Sequence, residues 1–122
     1  MKIIEKPWGR EIWWAHVNTK YLGKILEIKN GHQLSLQYHQ IKEETIYVLK
    51  GSLTLFHAEQ RSGQIKKEVL VEGETFHVRP LAIHRFAAET GDVTLIEVST
   101  DFPEDVVRLE DDYNRYNDIN ME

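Results

Sequence analysis

The chain has 122 residues and a mass of 14.4 kDa, which allows one packed core and is too short for two. Its 15 Lys+Arg against 20 Asp+Glu give a net charge of −5, which excludes a basic footprint for nucleic acid or anionic lipid and leaves any acidic ligand to a local cluster. There is no cysteine, so a disulfide framework is excluded and the fold must stand on packing, helped by a metal if one is bound.

Met1 to Trp8 lack the apolar run of a signal peptide, and no stretch reaches the roughly 20 apolar residues of a membrane span. The expectation is a cytoplasmic protein that meets neither membrane nor nucleic acid. Residues 5–14 hold all three tryptophans and are broken by Pro7 and Gly9, which predicts a turn feeding a short strand, with Trp13 and Trp14 on opposite faces. Tyr21 to Lys29 reads as a strand with Leu26 and Ile28 on one face and Glu27 and Lys29 on the other. Asn30-Gly31 ends it in a tight turn. Residues 33–39 alternate, with Leu34, Leu36 and Tyr38 on one face and Gln33, Ser35, Gln37 and His39 on the other.

Glu44 to Leu49 and Ser52 to His57 have the β-branched and aromatic content of paired strands. Arg61-Ser62-Gly63-Gln64 predicts a hairpin loop and Lys66 to Val71 the returning strand. Glu72-Gly73-Glu74 turns the chain into Thr75 to Arg79, which Pro80 ends. His84 to Ala88 and Val93 to Thr100 are two more strands around the turn Glu89-Thr90-Gly91-Asp92. In the acidic tail, Pro103-Glu104-Asp105 opens a helical turn and Asp118 to Glu122 fray. Short strands at about ten-residue spacing, with no 3.6-residue period before residue 103, predict an all-β sandwich or jelly-roll barrel. We read a single domain over 1–122, with a barrel core at about 10–100 and a partly irregular tail over 101–122.

Gln37 and His39 are two apart, so on a strand they project from one face, and a hairpin can return Glu44 over it. Nitrogen and oxygen donors of this kind suit a divalent ion such as zinc, manganese, iron or nickel, and three or four protein ligands leave a position open for chemistry. The order is glycine, five residues, Gln-x-His, four residues, glutamate, six residues, glycine, followed by Gly73, Pro80 and His84. This resembles the two-part cupin signature. More narrowly, Lys6-Pro-Trp-Gly9, Leu34-Ser-Leu-Gln-Tyr-His39 and Val107-Arg-Leu-Glu-Asp-Asp-Tyr113 resemble the cupin domain of type II mannose-6-phosphate isomerases. The resemblance implies a jelly-roll barrel holding one divalent metal, zinc before the other three, on Gln37, His39, Glu44 and His84. That family commonly carries arginine, alanine, glutamate, histidine and tryptophan where this chain has Lys42-Glu-Glu-Thr-Ile46. Ala82 stands where the second motif usually has glycine, and Ala88 where cupins often have asparagine.

The implied activity is an aldose–ketose isomerisation of a phosphorylated sugar, most simply mannose 6-phosphate to fructose 6-phosphate, through an enediolate. Lys42 and His77 are the candidate catalytic bases, and Lys42 and Arg108 the candidate phosphate contacts. The alternative is a non-catalytic, metal-containing sugar- or nucleotide-sugar-binding cupin, which the missing histidine and tryptophan favour. An iron dioxygenase is disfavoured by Gln37 in place of histidine. His16, His32, His57 and His77 are expected at the surface or barrel wall, with His77 the one that could face the same cavity as His84 from a neighbouring strand; Arg85 is expected in a structural ion pair, and Arg108 and Arg115 beside Glu110, Asp111 or Asp112. Trp8 and Tyr113 belong to the core or stack on a sugar. An edge rich in Ile3, Ile4, Trp13 and Trp14 needs cover, which predicts a homodimer.

Overall fold

The computed structural model describes residues 1–59, 63–113 and 115. Arg61 and Ser62 of the expected hairpin loop, and the expected frayed end at 118–122, lie outside them. The strands are β1 (Lys2–Lys6), β2 (Gly9–Val17), β3 (Tyr21–Ile28), β4 (Leu36–Tyr38), β5 (Glu44–Lys50), β6 (Leu53–Ala58), β7 (Lys66–Leu70), β8 (Thr75–Val78), β9 (Ile83–Ala87), β10 (Val93–Thr100) and β11 (Val107–Glu110). No helix among the described residues is long and apolar enough to cross a membrane. Two antiparallel sheets face each other, one ordered β1-β2-β3-β10-β5-β8 and the other β11-β4-β9-β6-β7. This is the expected all-β jelly roll.

The period of two builds both layers. Ile46 and Val48 on β5, Val93 and Leu95 on β10, and Leu26 and Ile28 on β3 point inward and join Trp8, Leu53, Leu55 and Phe86 in one buried cluster. Burying each such side chain contributes about 1.5–3 kcal/mol. The inward rows change character towards one end of the barrel: on the next inward steps Glu44 follows Ile46, Glu97 follows Leu95 and Lys24 follows Leu26, all of them buried. Buried charges must be paired or bind something. The apolar end therefore holds the layers together, and the polar end forms the site.

Outside, the register sets Ile3, Ile12, Ile25, Ile96 and Tyr47 side by side across β1, β2, β3, β10 and β5. Trp13 and Trp14 do take opposite faces, Trp13 lining the interior cavity and Trp14 lying outside over Gly23. A Cβ on Gly23 would meet the Trp14 ring at 2.6 Å, so the glycine makes room for the indole. Gly51, at φ 82°, turns β5 into β6 in a backbone region that favours glycine.

Three local readings change. The first strand, β1, pairs with β2 along its whole length, although its sequence Lys-Ile-Ile-Glu-Lys does not alternate. Leu34 and Leu36 do not share a face: Leu34 packs on the main core, while Leu36 packs with Ala58, Ile83, Tyr38 and Leu109. The chain is regular strand only from Leu36 to Tyr38, so the period of two does not extend back through Ser35. Pro103 to Asp105 makes a single turn, closed by the Asp105 amide on the Phe102 carbonyl at 3.1 Å, and the chain then enters β11 rather than a helix.

Candidate metal centre

His39 follows β4, Glu44 opens β5 and His84 lies on β9, directly opposite Gln37 of β4. His39 Nε2 is 2.9 Å and His84 Nε2 3.7 Å from Glu44 Oε2, and one donor atom from each of the three residues lies within 4.8 Å of the others. All three are buried. The far nitrogens are held by the backbone: His39 Nδ1–H donates to the Asp105 carbonyl, and His84 Nδ1–H donates to the Ala82 carbonyl at 3.1 Å. Such bonds fix each ring with Nε2 facing inward, as they do around bound metals.

These residues fit a divalent ion. Glu44 Oε1 is buried without a hydrogen-bond partner. With Nδ1 committed to a carbonyl, His39 Nε2 reaches the Glu44 carboxylate only with a proton between them, and a cation in that place satisfies both groups. Gln37 lines the same cavity; its amide nitrogen donates to Ser35 Oγ at 2.8 Å, which leaves its carbonyl oxygen as the donor for the site.

Lys42 is buried. Its ammonium is 3.2 Å from Glu97 Oε2 and 4.0 Å from Glu44 Oε2. That Glu97 oxygen is buried and is held by the ion pair with Lys42. Burial pulls the Lys42 pKa down, and the charges of Glu97 and Glu44 more than reverse this, so the ammonium is held above its ordinary range. Burial would raise Glu44, but Lys42 and the His39 hydrogen bond outweigh it and keep the carboxylate well below the usual range. Burial and the neighbouring Glu44 push Glu97 up. Burial drives His84 down to about 4, against the attraction of Glu44.

These groups line a cavity of about 500 Å³ whose wall also carries Lys2, Lys6, Trp8, Glu11, Trp13, Lys24, Arg108 and Arg115. Arg108 donates from Nη1 to the Arg115 carbonyl at 3.0 Å, and Arg115 pairs with Asp111. His77 is the correction: on β8 it is paired with Thr45, outside the cavity, and its ring meets Glu43. Its neighbours Phe76 and Val78 are the more enclosed residues of that strand. His57 binds Glu68 at 2.7 Å, His16 binds Asp101 at 2.8 Å, and His32 binds and stacks on Tyr113. Arg85 donates to the Leu34 carbonyl and approaches Glu110 at 3.8 Å, as expected.

The sequence reading missed Glu97, Lys24 and Glu11. The available signal was a charged residue at an inward position of an otherwise apolar strand, as in Thr94-Leu-Ile-Glu-Val98. It also missed Asp105, whose carboxylate accepts the backbone N–H groups of Gln40, Ile41 and Lys42 at 3.0, 2.7 and 2.8 Å. Contacts across more than sixty residues leave no local pattern.

A family model described as mannose-6-phosphate isomerase C-terminal matches residues 2–118. No match was found among curated protein sequences. Among solved structures, the capsular polysaccharide assembling protein CapF from Staphylococcus aureus superposes with a TM-score of 0.78 at 14% identity, over 89% of this chain and 34% of its own. KdgF from Halomonas sp. gives 0.71 at 16% identity, over 84% and 89%. Bacillus subtilis oxalate decarboxylase, described with Mn(II) centres, gives 0.74 at 16% identity, over 89% and 30%. The chain thus spans about a third of CapF and of the decarboxylase, and these likenesses are of fold.

Proposed function

Since the chain belongs to the mannose-6-phosphate isomerase C-terminal family of cupin domains, we propose that it is a metal-dependent aldose–ketose isomerase of a phosphorylated sugar, with mannose 6-phosphate and fructose 6-phosphate the simplest pair. The observation that carries the reading is the convergence of His39 Nε2, Glu44 and His84 Nε2 in a cavity that also holds the second buried carboxylate, Glu97. Gln37 completes the proposed ligand set, and zinc is the first ion to test, followed by manganese, iron and nickel. When bound, a divalent ion supplies Lewis-acid polarisation of the substrate's carbonyl and adjacent hydroxyl oxygens.

The protein's own groups do the rest. In the aldose-to-ketose direction the Glu97 carboxylate takes the proton from C2 and returns it to C1, while the O2 hydroxyl proton passes to O1. Glu97 replaces His77 in this role because it lines the cavity, which His77 does not. Lys42, held protonated, fixes Glu97 and offsets charge developing on the sugar oxygens. Leu26, Leu34 and Phe86 on the cavity wall exclude water from the reacting carbons.

The replaced family positions do not weigh against catalysis. Thr45 pairs with His77 away from the cavity and Ile46 is fully buried in the core, so neither change removes a group from the site. A homodimer in the cytoplasm belongs to the same reading, supported by the apolar row on the outer face. A coupled assay on mannose 6-phosphate, with metal removed and restored, tests the activity. Stoichiometric metal with no turnover of any phosphosugar in a panel sinks it and leaves a sugar-binding cupin.

A further inference from the structure

The cavity divides by charge. On the metal side, Lys42 lies among carboxylates, flanked by Glu44 and Glu97. One strand further along the same sheet, from β10 to β3, the balance reverses. Lys24 Nζ is 3.2 Å and Lys6 Nζ 3.9 Å from the two oxygens of one carboxylate, Glu11, which also accepts Trp13 Nε1–H at 3.0 Å. Arg115 lines the same cavity and, among the described residues, is ion-paired with Asp111. Lys6, Lys24 and Arg115 thus share the carboxylates of Glu11 and Asp111, both buried.

Lys6 stands out among these cations. Among the described residues its ammonium has no acceptor at hydrogen-bond distance, since Glu11 at 3.9 Å is an ion-pair contact only. Burial lowers its pKa, and although Glu11 opposes this, Lys24, Arg115 and Arg108 lower it further. Cations crowded by one another and short of acceptors are relieved by an anion.

The placement matches a substrate with two ends. The register puts Lys24 beside Glu97 and Glu97 beside Ile46, so β3 and β5 are two strand spacings apart. Lys24 thus lies one strand spacing, roughly 5 Å, from Glu97 and two, roughly 10 Å, from β5, which carries Glu44; the longer span is comparable to an open-chain hexose with a terminal phosphate. Resting on the isomerase reading for the identity of the substrate, we propose that Lys6, Lys24 and Arg115 form an anion subsite for the dianion of a phosphate monoester. The sugar then lies across the cavity, its carbonyl end over Glu44 and Glu97 and its phosphate under the β1–β2 hairpin.

The test uses the full chain with its metal bound, inorganic phosphate as the probe, and Lys6→Gln, Arg115→Gln and Lys6→Arg, each checked for an unchanged melting transition. Loss of one charge-assisted hydrogen bond weakens phosphate binding about tenfold, and Lys6→Arg restores most of it. With a sugar phosphate that turns over, the same variants raise KM by a similar factor with kcat within a few-fold. Wild-type phosphate affinity in both Gln variants overturns the subsite, and is also the result expected if phosphate binds only at the metal. If phosphate binding depends on Lys6 but no phosphosugar turns over, the isomerase reading fails and the subsite stands. Turnover with KM unmoved in both variants does the reverse.

Discussion

Glu44 and Glu97 face one cavity from neighbouring strands, yet one sits between two imidazoles and the other beside an ammonium, so their amides separate two roles. Glu44→Gln should leave the purified protein without stoichiometric metal. Glu97→Gln should keep its metal while kcat falls by about 10²–10⁴, and metal analysis beside steady-state kinetics reads both. The buried imidazole of His84 gives a pH dependence of stability. Its folded pKa is about 4 against an ordinary 6.5, so below pH 6.5 the unfolded chain takes up a proton that the folded chain refuses. The stability is full above 6.5 and is lost as pH falls towards 4, by up to about 3 kcal/mol for the metal-free protein. Glu44, with its lowered pKa, adds loss in the same direction below the ordinary carboxylate range, and Glu97, with its raised pKa, opposes it. Melting temperatures of the metal-free chain between pH 7 and 4.5 should fall, and a flat profile would contradict the assignment.

The loop between β10 and β11 holds the end of β4 in place. Asp105 ties down the turn at residues 40–42 through its carboxylate and the ring of His39 through its carbonyl. Asp105→Ala should therefore weaken metal binding about tenfold without touching a ligand, and Asp105→Asn, which keeps one acceptor oxygen, should recover part of it; competition with a chelating dye measures both. An Asp105→Ala variant of wild-type metal affinity would remove the loop from the account. Strand by strand, the sequence reading succeeded where side chains alternate and glycines mark the turns, as from Glu44 through Gly51 to His57. It failed on β1, where Ile3 and Ile4 are adjacent, and on β11, where the turn expected at Pro103 to Asp105 leads into a strand beside β4.

Across the whole molecule, the jelly roll was legible because its signals are local: short alternating runs, turns and a ligand spacing that fits a hairpin. The division of the cavity was not, because Lys24 and Glu97 are brought together by the pairing of β3 with β10, strands distant in sequence. The outer row Ile3, Ile12, Ile25, Ile96 and Tyr47 is an apolar stripe that self-association would cover. Sedimentation should show a dimer at micromolar concentration, and Ile96→Asp should convert it to monomer with the fold intact; a wild-type monomer rejects the pairing. The proposed ligands are unevenly shared between the layers: Gln37, His39 and His84 come from the five-stranded sheet and Glu44 from the six-stranded one. A bound ion is then a rivet through the seam at the end of the sandwich where few apolar contacts hold the sheets shut. Hydrogen exchange should reveal this as a gradient. Amides around Glu44 and His84 should slow markedly on metal loading, whereas those of Val93 to Leu95, at the apolar end, should exchange at nearly the same rate with or without it.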